Sequence, residues 1–123
     1  MMARIRSINT KPEIRVRSVF HRLGLRFRLH PQLIGHPDFV LPKYRVVVFV
    51  HGCFWHRHFG CRGTRTPKSR VKFWTEKFRG NVRRDRFVKK KLRKDGWRVL
   101  VIWECEINIE AKIKEFMEAL CGH

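Results

Sequence analysis

The run Val46-Val47-Val48-Phe49-Val50 is apolar at every position. Successive strand residues face opposite sides of a sheet, so such a run is stable only where both faces are covered. It therefore belongs in the middle of a sheet with helices on either side. Val99 to Trp103 is a second run of the same kind. Both are strand-sized and fall far short of the ~20 residues needed to span a bilayer.

The remaining elements follow from local signals. Thr10-Lys11-Pro12-Glu13 is a capping-box pattern with proline in the first turn, followed by an apolar stripe of Val16, Val19, Phe20 and Leu23 and a stop at Gly24. Glu13 lies three residues before Val16 and so continues the buried stripe. Leu25, Phe27 and Leu29 alternate with Arg26, Arg28 and His30, which predicts an edge strand. A short strand from Asp38 to Leu41 then turns at Pro42-Lys43 into Arg45 to His51. A two-residue hairpin there would pair Asp38 with Val47. The segment from Gly52 to Ser69 reads as a long irregular loop. A helix from Ser69 or Arg70 to Arg79 is expected to end at Gly80, and Asn81 to cap another that stops at Gly96. Trp97 to Trp103 reads as another buried strand, and Ile109 to Leu120 as a closing amphipathic helix. The order α-β-β-β-α-α-β-α describes an α/β fold, a mixed central sheet flanked by helices. The connection between the last two strands is long enough for parallel pairing, which would put Cys53 and Cys105 beyond the same edge of the sheet.

The chain has 123 residues, with 29 Lys+Arg against 10 Asp+Glu, a net charge of +19. That length suits one domain, and 43% apolar residues suffice for a core, so the charge is not a mark of disorder. A surface this basic calls for a polyanionic partner. Nucleic acid fits best and an anionic membrane surface second. The basic amino terminus MMARIRSINTKPE lacks an apolar signal region, so the four cysteines are expected to be thiols or metal ligands rather than disulfides.

Acids are scarce enough here to be informative. Asp38 follows Pro37 at the start of a strand, where a carboxylate can support Mg²⁺ with water and phosphate, or serve only as turn chemistry. Asp85 occurs among Arg83, Arg84 and Arg86 yet falls on the stripe of Val82, Val88 and Leu92, so it points inward, to pair with an arginine or to orient a histidine. Residues 51–61 hold three His and two Cys. The spacing Cys53-x4-His58-x2-Cys61, with Cys105 as fourth ligand, suits a closed structural zinc site, whereas Cys121 reads as a buried thiol. That leaves His51 and His56 as candidate general bases. Phe54, Trp55 and Trp74 are either core residues or wedges pushed between base pairs, while Trp97 and Trp103 read as packing residues. Lys89 to Lys91, Arg93 and Lys94, preceded by Arg79, Arg83, Arg84 and Arg86, suit phosphate contacts.

Five ordered segments, IRSINTKPEIR, Pro37-Asp38-Phe39, HGCFWHRH, FWTEKFRGNVRRDR and GWRVLVIWEC, together resemble the very short patch repair (Vsr) endonucleases, from about Met2 to Glu106. That family is a branch of the restriction-endonuclease-like nucleases. Its members nick DNA 5′ to the thymine of a T:G mismatch, the lesion left by deaminated 5-methylcytosine. The resemblance implies one endonuclease domain over residues 1–123, with residues 1–10 as a basic DNA-contacting arm.

It also implies roles. Asp38 would be the Mg²⁺ carboxylate and the Val50 carbonyl a second ligand, His56 would activate water, His51 and Glu13 would hold metal-bound water or phosphate, and Asp85 would support a histidine. Cys53, His58, Cys61 and Cys105 would bind structural Zn²⁺. Phe54, Trp55 and Trp74 would intercalate beside the mismatch, and Met2 and Ile5 would enter from the opposite groove. Val50 stands where the family has threonine, a change that a carbonyl ligand survives, and the zinc loop is one residue longer than the best-known pattern. Bringing Asp38 to Val50 requires a wider turn or a bulge. The implied setting is a monomer acting on mismatched duplex DNA in a bacterial-type cytoplasm, at the nucleoid, with mismatch-repair proteins as the candidate protein partners. Two other readings remain: a related nickase of different specificity, and a zinc-stabilised DNA-binding protein without cleavage.

Overall fold

A computed structural model describes residues 10–58, 61, 67–106 and 108–121, apart from the side chains of Phe54, Trp55 and Cys121. Met2, Ile5 and the rest of the 1–9 arm lie outside the described residues. The elements are α1 (Lys11–Arg22), β1 (Arg28–Leu29), β2 (Phe39–Leu41), β3 (Val46–His51), α2 (Cys53–His56), α3 (Val71–Lys94), β4 (Arg98–Trp103) and α4 (Ile109–Cys121). They form a four-stranded sheet in the order β1-β2-β3-β4, antiparallel except for the parallel pair β3 and β4. No described helix is long and apolar enough to cross a membrane.

The apolar run behaves as its two-faced pattern demands. Val46 and Val48 face a core built with Val16, Phe20 and Phe39, closed by Ile109 and Ile113 of α4, while Val47 and Phe49 face Val88 and Leu92 of α3. The sheet is thus sandwiched between α1 and α4 on one side and α3 on the other. Thr10 caps α1, its Oγ1 accepting the Glu13 N–H at 3.3 Å, and Glu13 is buried as the stripe required.

Four sequence readings need correction. The alternation from Leu25 to His30 yields only two paired residues, because the chain turns away at His30, which has φ +47°. β4 is an edge strand with alternating burial rather than a fully buried one; Leu100 and Ile102 are enclosed while Arg98 is exposed. The loop after β3 contains a one-turn helix, α2. The largest change is that no break occurs at Gly80: α3 runs unbroken for 24 residues. At 100° per residue, continuity places its buried residues Phe78, Val88 and Leu92 within an arc of about 80°. A stop at Gly80 would release Phe78 from that stripe. The order of element types survives because α2 and α3 take the places of the two expected helices.

The turn between β2 and β3 is the wider one that the site needs. A 3-10 turn over Pro42–Tyr44 and a left-handed Arg45 pair Leu41 with Val46 and Phe39 with Val48. Asp38 therefore lies two residues further along β3 than a tight hairpin would place it.

Replacing Gly80 by alanine tests the continuity of α3. Nothing lies within 4 Å of the added methyl group, so Gly80→Ala should stabilise the protein by about 0.5–1 kcal/mol in denaturant unfolding. Gly35→Ala should destabilise it, because Gly35 has φ +79° and its Cβ would run into the Val88 side chain. A loss of stability in Gly80→Ala would place a helix break at that residue.

Candidate active site and thiol cluster

The first component is an acidic corner. Asp38 Oδ2 accepts the Val50 N–H at 2.6 Å, and the Asp38 N–H donates to the Val48 carbonyl at 3.0 Å. Backbone groups of alternate strand residues point the same way, so the Val50 carbonyl shares this sheet edge with Asp38. Glu13 lies against Asp38 from α1, only 1% exposed, with Arg17 Nη1 at 2.8 Å and His30 Nε2 at 3.0 Å, both on its Oε2. Burial, opposed by the Val50 N–H and reinforced by Glu13, holds the Asp38 carboxyl up at about 6. Two adjoining carboxyl groups and a carbonyl edge are hard oxygen donors of the kind that hold Mg²⁺.

The second component is a histidine pair. His56 Nδ1–H donates to Asp85 Oδ2 at 2.7 Å. A carboxylate only accepts, so the proton sits on Nδ1 and Nε2 carries the lone pair in the neutral ring. His51 stacks on His56 with ring centroids 3.8 Å apart and planes 7° from parallel. Burial first, then the neighbouring His56, drives His51 down to about 3, which keeps it neutral. Its Nδ1 is buried without a hydrogen-bond partner among the described residues. Ligand atoms of His51, His56 and Asp85 lie within 4.8 Å of one another. Parallel rings, however, cannot aim both in-plane lone pairs at one ion, so the stack suits proton transfer rather than chelation.

The third component is a thiol cluster, in which the ligand atoms of Cys53, His58, Cys61 and Cys105 all lie within 4.8 Å of one another. His58 Nδ1 is 3.7 Å from Cys53 Sγ and 3.3 Å from Cys105 Sγ. A tetrahedral zinc with usual bond lengths would give S···N edges of about 3.6 Å. Burial, followed by the Cys105 and Cys61 sulfurs, pushes the Cys53 thiol up to about 12. A thiolate at that depth needs a compensating cation, so the donor set fits zinc. His58 is held by stacking on Trp103, with centroids 4.2 Å apart, and Glu104 Oε1 accepts the Cys53 N–H at 3.1 Å.

Asp38, Val50, His51, His56 and Asp85 line one cleft of about 490 Å³, so the structure brings these sequence candidates together. Glu13 stands behind Asp38. The thiol cluster adjoins the cleft through His51, Gly52 and Cys53. Trp74 is separate, half-buried on α3 and packed on Phe78 at 5.7 Å. Phe54 and Trp55 are placed on α2 by backbone only, and Met2 and Ile5 lie outside the described residues. Sequence reasoning missed Glu104, His30 and Arg17 as supports, and it did not separate Arg84 and Lys89, which line the cleft, from the rest of the basic run. The available signal for Glu104 was its place beside Cys105, directly after a strand.

Comparison with known proteins places the chain in a family. Residues 1–62 match the family described as DNA mismatch endonuclease Vsr. Type II nicking enzyme V.XorIIP of Xanthomonas oryzae pv. oryzae is 46% identical over 96% of this chain and 90% of its own. The chain belongs to the Vsr endonuclease family. DNA mismatch endonuclease Vsr of Escherichia coli K12 is 41% identical, over 98% of this chain and 81% of that protein. The catalytic domain of homing endonuclease I-Bth0305I superposes with a TM-score of 0.59 at 23% identity, over 91% of this chain and 94% of that one, and so shares the fold.

This Vsr-family DNA endonuclease should carry a measurable penalty at its acidic corner. Asp38 rises from its ordinary 3.8 to about 6 in the fold, so the native state holds the proton more tightly than the unfolded chain. The associated stability is full below pH 4 and is lost as pH rises to about 6. With no divalent cation added, Asp38→Asn should be more stable than wild type at pH 7 by roughly 2–3 kcal/mol in urea unfolding. The difference should vanish near pH 4. A difference independent of pH would show that Asp38 is not strained by ionisation.

Proposed function

We propose that this protein nicks one strand of duplex DNA 5′ to the thymine of a T:G mismatch, with Mg²⁺, in very short patch repair on nucleoid DNA. The observation that carries the reading is the His56–Asp85 pair on the same cleft as Asp38, with Glu13 behind it. An oriented base and an acid corner suited to a cation are the two halves of phosphodiester hydrolysis.

Asp38, Glu13 and the Val50 carbonyl edge would hold the cation, which when bound polarises the phosphate and stabilises charge in the transition state. His56 takes the proton of the attacking water on Nε2, and Asp85 stabilises the imidazolium that results. His51, kept neutral by its surroundings, lines the cleft beside His56, where it would hold phosphate or metal-bound water. Arg84 and Lys89 line the cleft with no ion pair among the described residues, which suits them to the phosphates on either side. Cys53, His58, Cys61 and Cys105 would hold a structural Zn²⁺ that ties the loop after β3 to the end of β4. Phe54, Trp55 and Trp74, with Met2 and Ile5 from the other groove, are the candidate wedges at the mismatch.

Nicking of a T:G duplex with Mg²⁺ tests the assignment. His56→Ala and Asp38→Ala should each lower the single-turnover rate by 10²-fold or more, on the order expected for losing a general base or the metal carboxylate. Affinity for the duplex should change by less than about threefold in Asp38→Ala, because many cations share the binding. Wild-type rates in either variant would remove it from the chemistry. Equal cleavage of T:G and fully paired competitors would show a nickase of different specificity.

Zinc is tested separately. Metal analysis should find one tightly held zinc per chain, absent in Cys53→Ser, and chelation should lower the melting temperature. An unchanged melting temperature after complete zinc removal would deny the cluster a structural role.

A further inference from the structure

The acidic corner is assembled from two pieces of chain that have no covalent reason to meet. Glu13 comes from the first turn of α1, while Asp38 precedes β2. Arg17 Nη1 grips Glu13 Oε2 at 2.8 Å from one turn along the same helix. The two carboxyl groups lie against each other, and His30 bonds to both pieces. The His30 backbone N–H donates to the Asp38 carbonyl at 2.8 Å, and its ring Nε2–H donates to Glu13 Oε2 at 3.0 Å.

His30 also holds a left-handed backbone at φ +47°, a conformation that is uncommon for residues other than glycine. Strain of this kind persists where the surroundings over-determine it. Here it turns the chain out of β1 while keeping the His30 N–H on the β2 ladder and the ring aimed back at α1. We propose that His30 is a positioning residue for the proposed cation site: it sets the spacing between the Glu13 and Asp38 carboxylates by bonding one through its ring and the other's backbone through its amide. The ring need not touch the ion or the DNA. The inference rests on the reading of Asp38 and Glu13 as cation-holding acids.

Two substitutions separate positioning from folding. His30→Asn preserves a residue tolerant of the left-handed backbone, but its amide is too short to reach Glu13. His30→Gln restores a donor at nearly the reach of the imidazole Nε2. Partners that orient acids in metal sites are typically worth about 10–100-fold in affinity or activity. Mn²⁺ binding, followed by electron paramagnetic resonance on the zinc-loaded protein without DNA, should weaken at least tenfold in His30→Asn and less than about threefold in His30→Gln. In nicking assays with Mg²⁺, His30→Asn should lower kcat by a similar factor while KM for the duplex and the melting temperature stay near wild type. Unchanged Mn²⁺ affinity and kcat in His30→Asn would overturn the proposal, as would a lower melting temperature with unchanged Mn²⁺ affinity, or a His30→Gln variant as impaired as His30→Asn. Asp38→Ala is the control for the underlying reading. If it binds Mn²⁺ like wild type, the cation site itself is misassigned and the role of His30 falls with it.

Discussion

Parallel neighbours in a sheet cannot be joined by a hairpin, and the pairing of β3 with β4 imposes that condition on the whole molecule. The two strands end side by side at His51 and Trp103. Cys53 and Cys105 follow them, so ligands half a sequence apart become neighbours without any long-range search. β2 runs antiparallel to β3 on the other side, so the beginning of β2, with Asp38, arrives at the same end of the sheet. Acids, histidines and thiols converge there because strand direction leaves them nowhere else to go. The long connection that parallel pairing demands supplies α3, which closes the cleft with Asp85.

Charge is divided unevenly across that end of the sheet. Two neighbouring environments move their titratable groups in opposite directions: burial beside Glu13 lifts Asp38, while burial beside His56 depresses His51. In each case burial favours the neutral form, so Asp38 holds its proton and His51 does without one. An excess of 29 basic over 10 acidic residues would otherwise leave such a site swamped by positive charge. Among the described residues Asp85 pairs with His56 and not with its arginine neighbours, which preserves the distinction.

Patterns that report burial were legible in the sequence. The two-faced strand, the inward acids Glu13 and Asp85, and the parallel crossover all follow from periodicity and length, and the Cys/His spacing located the thiol cluster. What escaped were features set by exact backbone turns and by competition between weak local signals. Gly80-Asn81 carries a helix-stop and helix-cap signature, yet glycine in a helix costs only about 1 kcal/mol against alanine, and keeping Phe78 on the buried stripe outweighs it. The offset between β2 and β3 depends on a left-handed Arg45, for which arginine gives no warning. His30 looked like the wet face of a strand because alternation cannot distinguish a side chain facing water from one facing a buried carboxylate.

The unbroken α3 does more than correct an element boundary. Trp74 and Asp85 are separated by eleven residues of continuous helix, about 16 Å along the axis, and three full turns bring them within about 20° of the same face. Asp85, past the middle of this rod, orients His56, and Trp74, in its first turn, carries a half-buried aromatic side chain. The helix is therefore a ruler. Under the proposed function, a duplex contact by Trp74 would be registered against the hydrolytic centre by hydrogen-bonded backbone rather than by loops, so the distance between recognising a site and cutting it would be built in as a length.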